Sequence, residues 1–307
     1  MTTSGTTSFN LDLNNLVEEA FERCGSQLRS GYDLRTARRS LNLLTIEWAN
    51  RGINLWTIEQ GQVNMVTGQG LYPIPNDTID LLDTVIRQNN GSSSNQIDIN
   101  ISRISESTYS TIPNKLTTGR PIQVWINRQS AQTNPTTVSL AAGISATDTS
   151  ITVDDASLLA SGGFVKIGTE TIGYANVVGN TLTNCYRGQN GTTAAAHALG
   201  ASVSVQNLNS INVWPTPDAG GGPYTFVYWR MRRLQDAGNG TTEQDIPFRL
   251  LPCMVAGLAF YMGQKIPEAQ PRIQFLKQEY EEQWLMAATE DREKAPVRFV
   301  PRTMFYS

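Results

Sequence analysis

Apolar residues recur at helical spacing at both ends of the chain and give way to short alternating runs between them. Near the N-terminus Leu13, Leu16, Val17, Ala20, Phe21 and Cys24 share one side of a helix, Glu18, Glu19 and Glu22 face away, and Gly25 supplies a stop. That face requires a partner, and another helix is the expected one. Asp33 is placed to cap a second helix with Leu34, Ala37, Leu41, Leu44 and Trp48 in one stripe and Arg35, Arg38 and Arg39 largely outside it. This helix ends at Gly52 and forms a hairpin with the first. Toward the C-terminus Leu250 to Gly263 is apolar on every side, the pattern of a buried helix, and it is too short to cross a bilayer. The last helix, Pro271 to Glu293, aligns Ile273, Leu276, Tyr280, Trp284 and Ala287, with Glu279, Glu281 and Glu282 elsewhere. The tail, Pro296 to Ser307, is non-helical.

Between the helices the period changes. Leu55 to Val66 alternates loosely, Gly68-Gln69-Gly70 turns, and Tyr72-Pro73-Ile74-Pro75 is extended. Leu81 to Arg87, Gln96 to Ile101, Ile122 to Asn127 and Tyr224 to Arg230 are further strands, and Ser102 begins a short helix through Ser110. Residues 131–206 stand apart in composition: Asp148, Asp154, Asp155, Lys166, Glu170 and Arg187 are their only charges, and Thr, Ser, Ala and Gly dominate. Ser150 to Val153, Phe164 to Ile167, Thr171 to Val178, Thr181 to Tyr186 and Ser202 to Val205 are strands, with hairpin turns at Gly168-Thr169 and Gly179-Asn180. With this segment lifted out, Pro121 to Arg128 and Asn209 to Pro217 become two facing strands joined at a hairpin tip, a place where insertions are tolerated. The expected fold class is α+β: a helical bundle frame from both chain ends with a small β-sheet region, plus an inserted all-β domain, sandwich or barrel. The expected division is a core of 1–130 and 207–295, an insert of 131–206 and an extended tail of 296–307.

At 307 residues the chain has room for two domains, and a formal net charge of -3 gives no support to a protein driven onto nucleic acid by phosphate contacts. Its three cysteines, Cys24, Cys185 and Cys253, fit neither a disulfide framework nor a zinc site. Synthesis in a reducing cytoplasm is the expectation. Met1 to Ser8 lacks the basic and apolar regions of a signal peptide, so no export is expected.

Candidate chemistry is sparse. The sole histidine, His197, lies in the Gly- and Ala-rich loop Gly188 to Gly200, and any histidine-based acid, base or metal role has to use it. Asp154-Asp155 and Glu281-Glu282 are adjacent carboxylates, which point in different directions and do not form a facing acid/base pair. Gly68-x-Gly70 and Gly188-x-x-Gly191 lack the Lys-Ser/Thr of a phosphate loop. Neither catalytic residues nor a cofactor or metal site is expected, and the chain is read as a non-enzyme. Nineteen of the 24 basic residues are arginine, a bias that suits interfaces because guanidinium forms forked bonds and stacks on aromatics. Arg230, Arg232 and Arg233 follow Tyr228-Trp229 and superficially resemble a nucleic-acid surface. In the tail, Arg298, Phe299, Val300, Pro301, Arg302, Met304, Phe305 and Tyr306 put apolar residues on a segment too short to make its own core, and they need a partner surface.

The frame resembles the head-to-tail adaptor, or gatekeeper, proteins of short-tailed bacteriophages. The resemblance is carried by Leu41 to Ile53 with Trp56, by Gly70-Leu71-Tyr72-Pro73-Ile74-Pro75, and by Val213-Trp214-Pro215-Thr216-Pro217. Ala256-Gly257-Leu258-Ala259, Tyr280-Glu281 and Ala287 to Arg292 carry it at the other end. The run Cys185 to Thr192, leading to His197 and Gly200, resembles a small β module that recurs in phage virion proteins. The resemblance implies a virion protein at the head–tail junction, forming a homododecameric ring under the portal. Its C-terminal segment would reach the portal, its distal side would meet the tail nozzle, and double-stranded DNA would pass transiently through the lumen. No membrane is involved. Ring contacts of alternating charge make Arg35, Arg38, Arg39, Glu281 and Glu282 the subunit-interface candidates. Arg187, Asn190 and His197 are the candidates for a partner contact on the insert, with a tail fibre or neighbouring subunit as the partner. The rival reading from another class is a glycan-binding or cell-wall-degrading virion protein with His197 or Asp154 in a site.

Overall fold

The computed structural model describes residues 4–28, 31–52, 55–220 and 223–292. The tail of 296–307, with its portal-binding candidates Arg298, Phe299, Val300, Pro301, Arg302, Met304, Phe305 and Tyr306, lies outside the described residues. The fold is mixed α+β. Its helices are α1 (Leu13–Cys24), α2 (Gly31–Arg51), the one-turn α3 (Glu106–Ser110), α4 (Leu251–Gly263) and α5 (Ile273–Glu290). The strands β1 (Ile58–Asn64), β2 (Leu71–Pro73), β3 (Thr78–Gln88), β4 (Ile97–Asn100), β5 (Ser102–Arg103), β6 (Thr118–Gly119) and β7 (Gln123–Asn127) come first. Then follow β8 (Thr133–Ser139), β9 (Ile151–Thr152), β10 (Gly163–Ile167), β11 (Glu170–Val178), β12 (Thr181–Gln189) and β13 (Ser202–Gln206). The chain returns through β14 (Ser210–Trp214), β15 (Thr216–Pro217) and β16 (Tyr224–Arg232). Glu59–Arg232 is one compact unit, and the described residues on either side of it form the other. The strands flanking residues 131–206 therefore group with that segment and not with the helices.

In the helical unit α1 starts where Asp12 accepts a hydrogen bond from the Asn15 amide, and it stops at Gly25, whose φ of 76° turns the chain out of the helix. α2 begins at Gly31, which places Asp33 inside its first turn and not ahead of it. The main partner of α1 is α4, with a minor contact to α2, in place of the expected hairpin pairing. The reason is the all-round apolar surface of α4, which buries ten of its thirteen residues and packs against α1, α2 and α5 together. At Gly257 these helices come so close that a Cβ would lie 2.9 Å from both Leu44 and Tyr280. α5 begins only after a 3-10 stretch, Pro267–Arg272, that contains Pro271. No described helix is long and apolar enough to cross a membrane.

In the β unit one sheet runs β1-β16-β3-β4 and a second runs β2-β14-β7-β5. β7 and β14 pair antiparallel, with Ile126 opposite Ile211 and Val124 opposite Val213, and these four residues enter a core with Phe226, Ile86 and Tyr72. The third sheet runs β8-β13-β10-β11-β12-β9 over a separate core that includes Ile151, Val165, Ile172, Leu182 and Val203.

Four local expectations are corrected. Ser102 belongs to a strand, its amide bonded to the Ile122 carbonyl, and the cap of the short helix lies three residues later at Ser105, whose Oγ accepts from the Thr108 amide. Leu55–Thr57 is a 3-10 turn, so the strand that follows begins at Ile58. Thr133–Ser139 is a strand although Val138 is its only buried residue, because β13 supplies the ladder. The inserted segment is not a barrel: its six strands form one sheet, whose end strands β8 and β9 are joined only by the isolated bridge of Leu140 to Val153.

Candidate functional site

Three features of the described residues invite a functional reading: a buried ionic cluster in the third sheet, a cleft lined by residues of the second and third sheets, and two outward helix stripes in the helical unit.

The ionic cluster centres on Glu170, the first residue of β11, which has no exposed surface. Arg187, near the end of the neighbouring β12, grips it with Nε to Oε1 at 2.9 Å and Nη2 to Oε2 at 2.8 Å. His197 Nε2 lies 2.8 Å from Oε2, and the amides of Gly188 and Ala195 donate at 3.0 and 3.1 Å. Gly188 is held at φ 58°, with the Ala194 amide and the Thr192 carbonyl 3.0 Å from where a Cβ would sit. A side chain there would displace the loop that delivers its amide. Burial pushes the Glu170 carboxyl up, but the bonds from Arg187, His197, Ala195 and Gly188 outweigh it and hold the group at about 2. An ionised carboxylate only accepts, so His197 Nε2 is the donor in its bond.

This cluster does structural work. A carboxylate with five donors and no exposure has no lone pair free for a substrate proton. Arg187 also donates to the carbonyls of Ser145 and Asp148 in one turn and of Ala195 in the loop after β12, which ties two further segments to one side chain. Arg187 and His197, candidates for a partner contact, are thus turned inward with side chains 8% and 11% exposed, whereas Asn190 is exposed at a left-handed turn. Asp154, the other residue of the rival reading, accepts from the Ser139 amide and hydroxyl at 2.8 and 2.7 Å, and these bonds hold it below the usual carboxylate range. Among the described residues no three His, Cys, Asp or Glu side chains are grouped to hold a metal ion.

The arginines after Trp229 are also committed. Arg230 pairs with Asp77 at 2.5 Å and with Glu59 at 3.0 Å, and Arg232 pairs with Glu59 at 2.5 Å, so these two do not present a basic surface to phosphate.

The cleft, of about 310 Å³, opens on one face of the β7–β14 pair. Alternation sends Val124, Ile126, Ile211 and Val213 into the core and leaves Trp125, Asn127 and Asn212 on the other face, with Trp125 directly opposite Asn212. Tyr109 of α3 stacks on Trp125, ring centroids 5.0 Å apart and planes at 23°, and Lys115 Nζ covers Tyr109 at 5.3 Å. Phe164, Tyr174 and Tyr186 supply the apolar wall beyond.

The helix stripes sort the interface candidates. On α2, Tyr32, Arg35, Arg39, Leu43 and Ile46 fall at i, i+3, i+7, i+11 and i+14, opposite the buried face, and the three apolar members are between 43% and 65% exposed. On α5, Phe275, Gln278, Glu282 and Met286 follow the same spacing with Leu285 beside them, and the apolar members are between 57% and 67% exposed. Arg35, Arg39 and Glu282 lie on these stripes. Arg38 does not: it donates to the Ala237 carbonyl at 2.8 Å. Glu281 is bound by Arg51 through two bonds of 2.9 and 3.1 Å.

Sequence reading missed Glu170 as the centre of the buried cluster and missed the Tyr109–Trp125 pair. A usable signal existed for the first: residues 131–206 contain one arginine and one histidine, and an acid beside a hairpin turn was available to both. The second arises only from strand register. Comparison of the chain with protein-family models and with curated proteins finds no match to either.

Proposed function

We propose that this chain is a structural virion protein, a ring-forming adaptor between portal and tail that helps retain the genome and then let it pass. The observation that carries the reading is the pair of helix stripes. Each repeats an aromatic residue, a charged residue seven positions on and an apolar residue four beyond that. The charge is positive on α2 at Arg39 and negative on α5 at Glu282. Two different, complementary faces on one unit make a head-to-tail contact, the kind that generates a ring when the rotation closes. The α2 stripe of one copy meets the α5 stripe of the next, and α1, α2, α4 and α5 serve as the helical bundle frame of the ring subunit. The resemblance of the frame to phage adaptors supplies the portal, the nozzle and the dodecameric count. The committed state of His197, Glu170 and Asp154 favours this reading over a cell-wall-degrading enzyme.

Electron microscopy of the protein with a cognate portal tests it. A coaxial ring on the portal is the expected image. Absence of any ring, with or without the portal, overturns the reading.

A further inference from the structure

The cleft over β7 and β14 has a chemistry of its own. Its floor and near wall carry a stacked aromatic pair, Tyr109 and Trp125, and its polar lining is rich in amides: Asn127, Gln129, Asn207 and Asn212. Among the described residues its only charged member is Lys115, whose ammonium is already bonded to the Ile112 carbonyl at 3.0 Å and lies over the Tyr109 ring. Among the described residues the Trp125 indole N–H and the Asn207 side chain have no protein partner, and the Asn212 amide meets only the Tyr109 hydroxyl, at 3.5 Å. The volume of about 310 Å³ sits at the small end of ligand sites.

We propose that this cleft binds a neutral carbohydrate, one or two sugar rings of a longer glycan, and gives the protein a glycan-recognition function in addition to assembly. The apolar C–H face of a pyranose stacks on an aromatic ring, and each sugar hydroxyl both donates and accepts, as each amide side chain does. A charged ligand is poorly matched. Among the described residues no carboxylate lines the cleft for a cationic sugar, and one committed lysine is a weak site for a phosphate or a nucleotide backbone. The absence of facing carboxylates also makes the cleft a binding site and not a glycosidase site.

Calorimetric titration of the full chain with cellotriose, maltotriose and tri-N-acetylchitotriose, beside a thymidine oligonucleotide, tests the proposal. At least one sugar is expected to bind saturably, with about a tenfold or greater loss of affinity in Trp125→Ala. Trp125→Phe, which keeps a stacking ring, retains most of the affinity. Asn212→Ala, at a partly buried side chain whose one bond is the 3.5 Å contact with Tyr109, weakens binding without unfolding the chain. If Trp125→Ala does not fold, Trp125→Phe and Asn212→Ala carry the comparison. Failure of all three sugars to saturate, equal binding by wild type and Asn212→Ala, or Trp125-dependent binding of the oligonucleotide alone overturns it.

Discussion

Arg187 meets Glu170 through two parallel hydrogen bonds, Nε to Oε1 at 2.9 Å and Nη2 to Oε2 at 2.8 Å, at a carboxylate with no exposed surface. A forked pair of this kind depends on the planar guanidinium. Arg187→Ala leaves the carboxylate buried without its main partner and is expected to destabilise the β unit by about 3–5 kcal/mol. Arg187→Lys recovers little of that, because an ammonium cannot form both bonds. Urea unfolding followed by circular dichroism measures both, and a lysine variant as stable as wild type would show that the fork is not what matters.

The same carboxylate sets an acid response. Glu170 is held at about 2 in the folded protein against an ordinary value of 4.5. The folded state therefore keeps it ionised more strongly than the unfolded chain does. Its stabilisation is fully present above pH 4.5 and is lost as pH falls toward 2. Asp148 and Asp154 are also held low by bonds from Ser145 and Ser139, so wild-type stability declines in this range for more than one reason. The difference between wild type and Glu170→Gln isolates the one group. It should shrink steadily between pH 4.5 and pH 2 in a series of urea midpoints, and a constant difference would contradict the assignment.

How far these features could be read from the chain depends on how local their causes are. The buried faces of α1 and α4 are written in consecutive residues, and the facing strands β7 and β14 could be paired because Val-Trp-Ile and Ile-Asn-Val alternate with the same period. β8 was invisible, since Thr133 to Thr137 has no apolar alternation and forms a strand only because β13 lies beside it. The Glu170 cluster joins residues 170, 187 and 197 across two strands and a loop, with a bulge between Thr171 and Gly173 that no periodicity marks. The interface arginines illustrate the middle case. Arg35, Arg38 and Arg39 look alike in the sequence, and only helical phase with the carbonyl of Ala237 separates Arg38 from the other two.

The centre of the helical unit is sensitive at two points. Trp48, fully buried, donates its indole N–H to the Tyr280 hydroxyl at 3.1 Å, and that hydroxyl donates in turn to Glu47 Oε1 at 3.2 Å. Tyr280→Phe leaves the indole N–H unsatisfied, for an expected loss of about 1–3 kcal/mol. Gly257→Ala places a Cβ 2.9 Å from Leu44 and Tyr280 and is expected to be destabilising by about 1–3 kcal/mol through overpacking. Thermal unfolding of the two single variants and the double variant measures these effects. The losses should not add simply, since both changes act on the Tyr280 ring.

If α2 and α5 meet across a ring contact, their charges are coupled between copies. Arg39→Glu alone and Glu282→Arg alone each place like charges in that contact and are expected to weaken assembly, whereas the double reversal restores opposite charge. Sedimentation velocity of the three variants with the portal distinguishes this from a folding defect, because both residues are exposed and monomer stability should not move by more than about 0.5 kcal/mol. Rings that form equally well in both single variants would exclude this pairing of faces.

The tail gives the last test. Arg298, Phe299, Val300, Pro301, Arg302, Met304, Phe305 and Tyr306 are concentrated in a segment too short to bury them against one another, which is the pattern of a segment that completes a partner's surface. Deleting residues 296–307 should therefore leave the thermal transition of the protein within about 0.5 kcal/mol of wild type while abolishing its co-sedimentation with the portal. A single Phe305→Asp change should weaken co-sedimentation by tenfold or more if that ring is a buried anchor, at about 1.4 kcal/mol per factor of ten. Undiminished portal binding by the deletion would move the contact to another surface and leave the ring proposal to stand on the helix stripes alone.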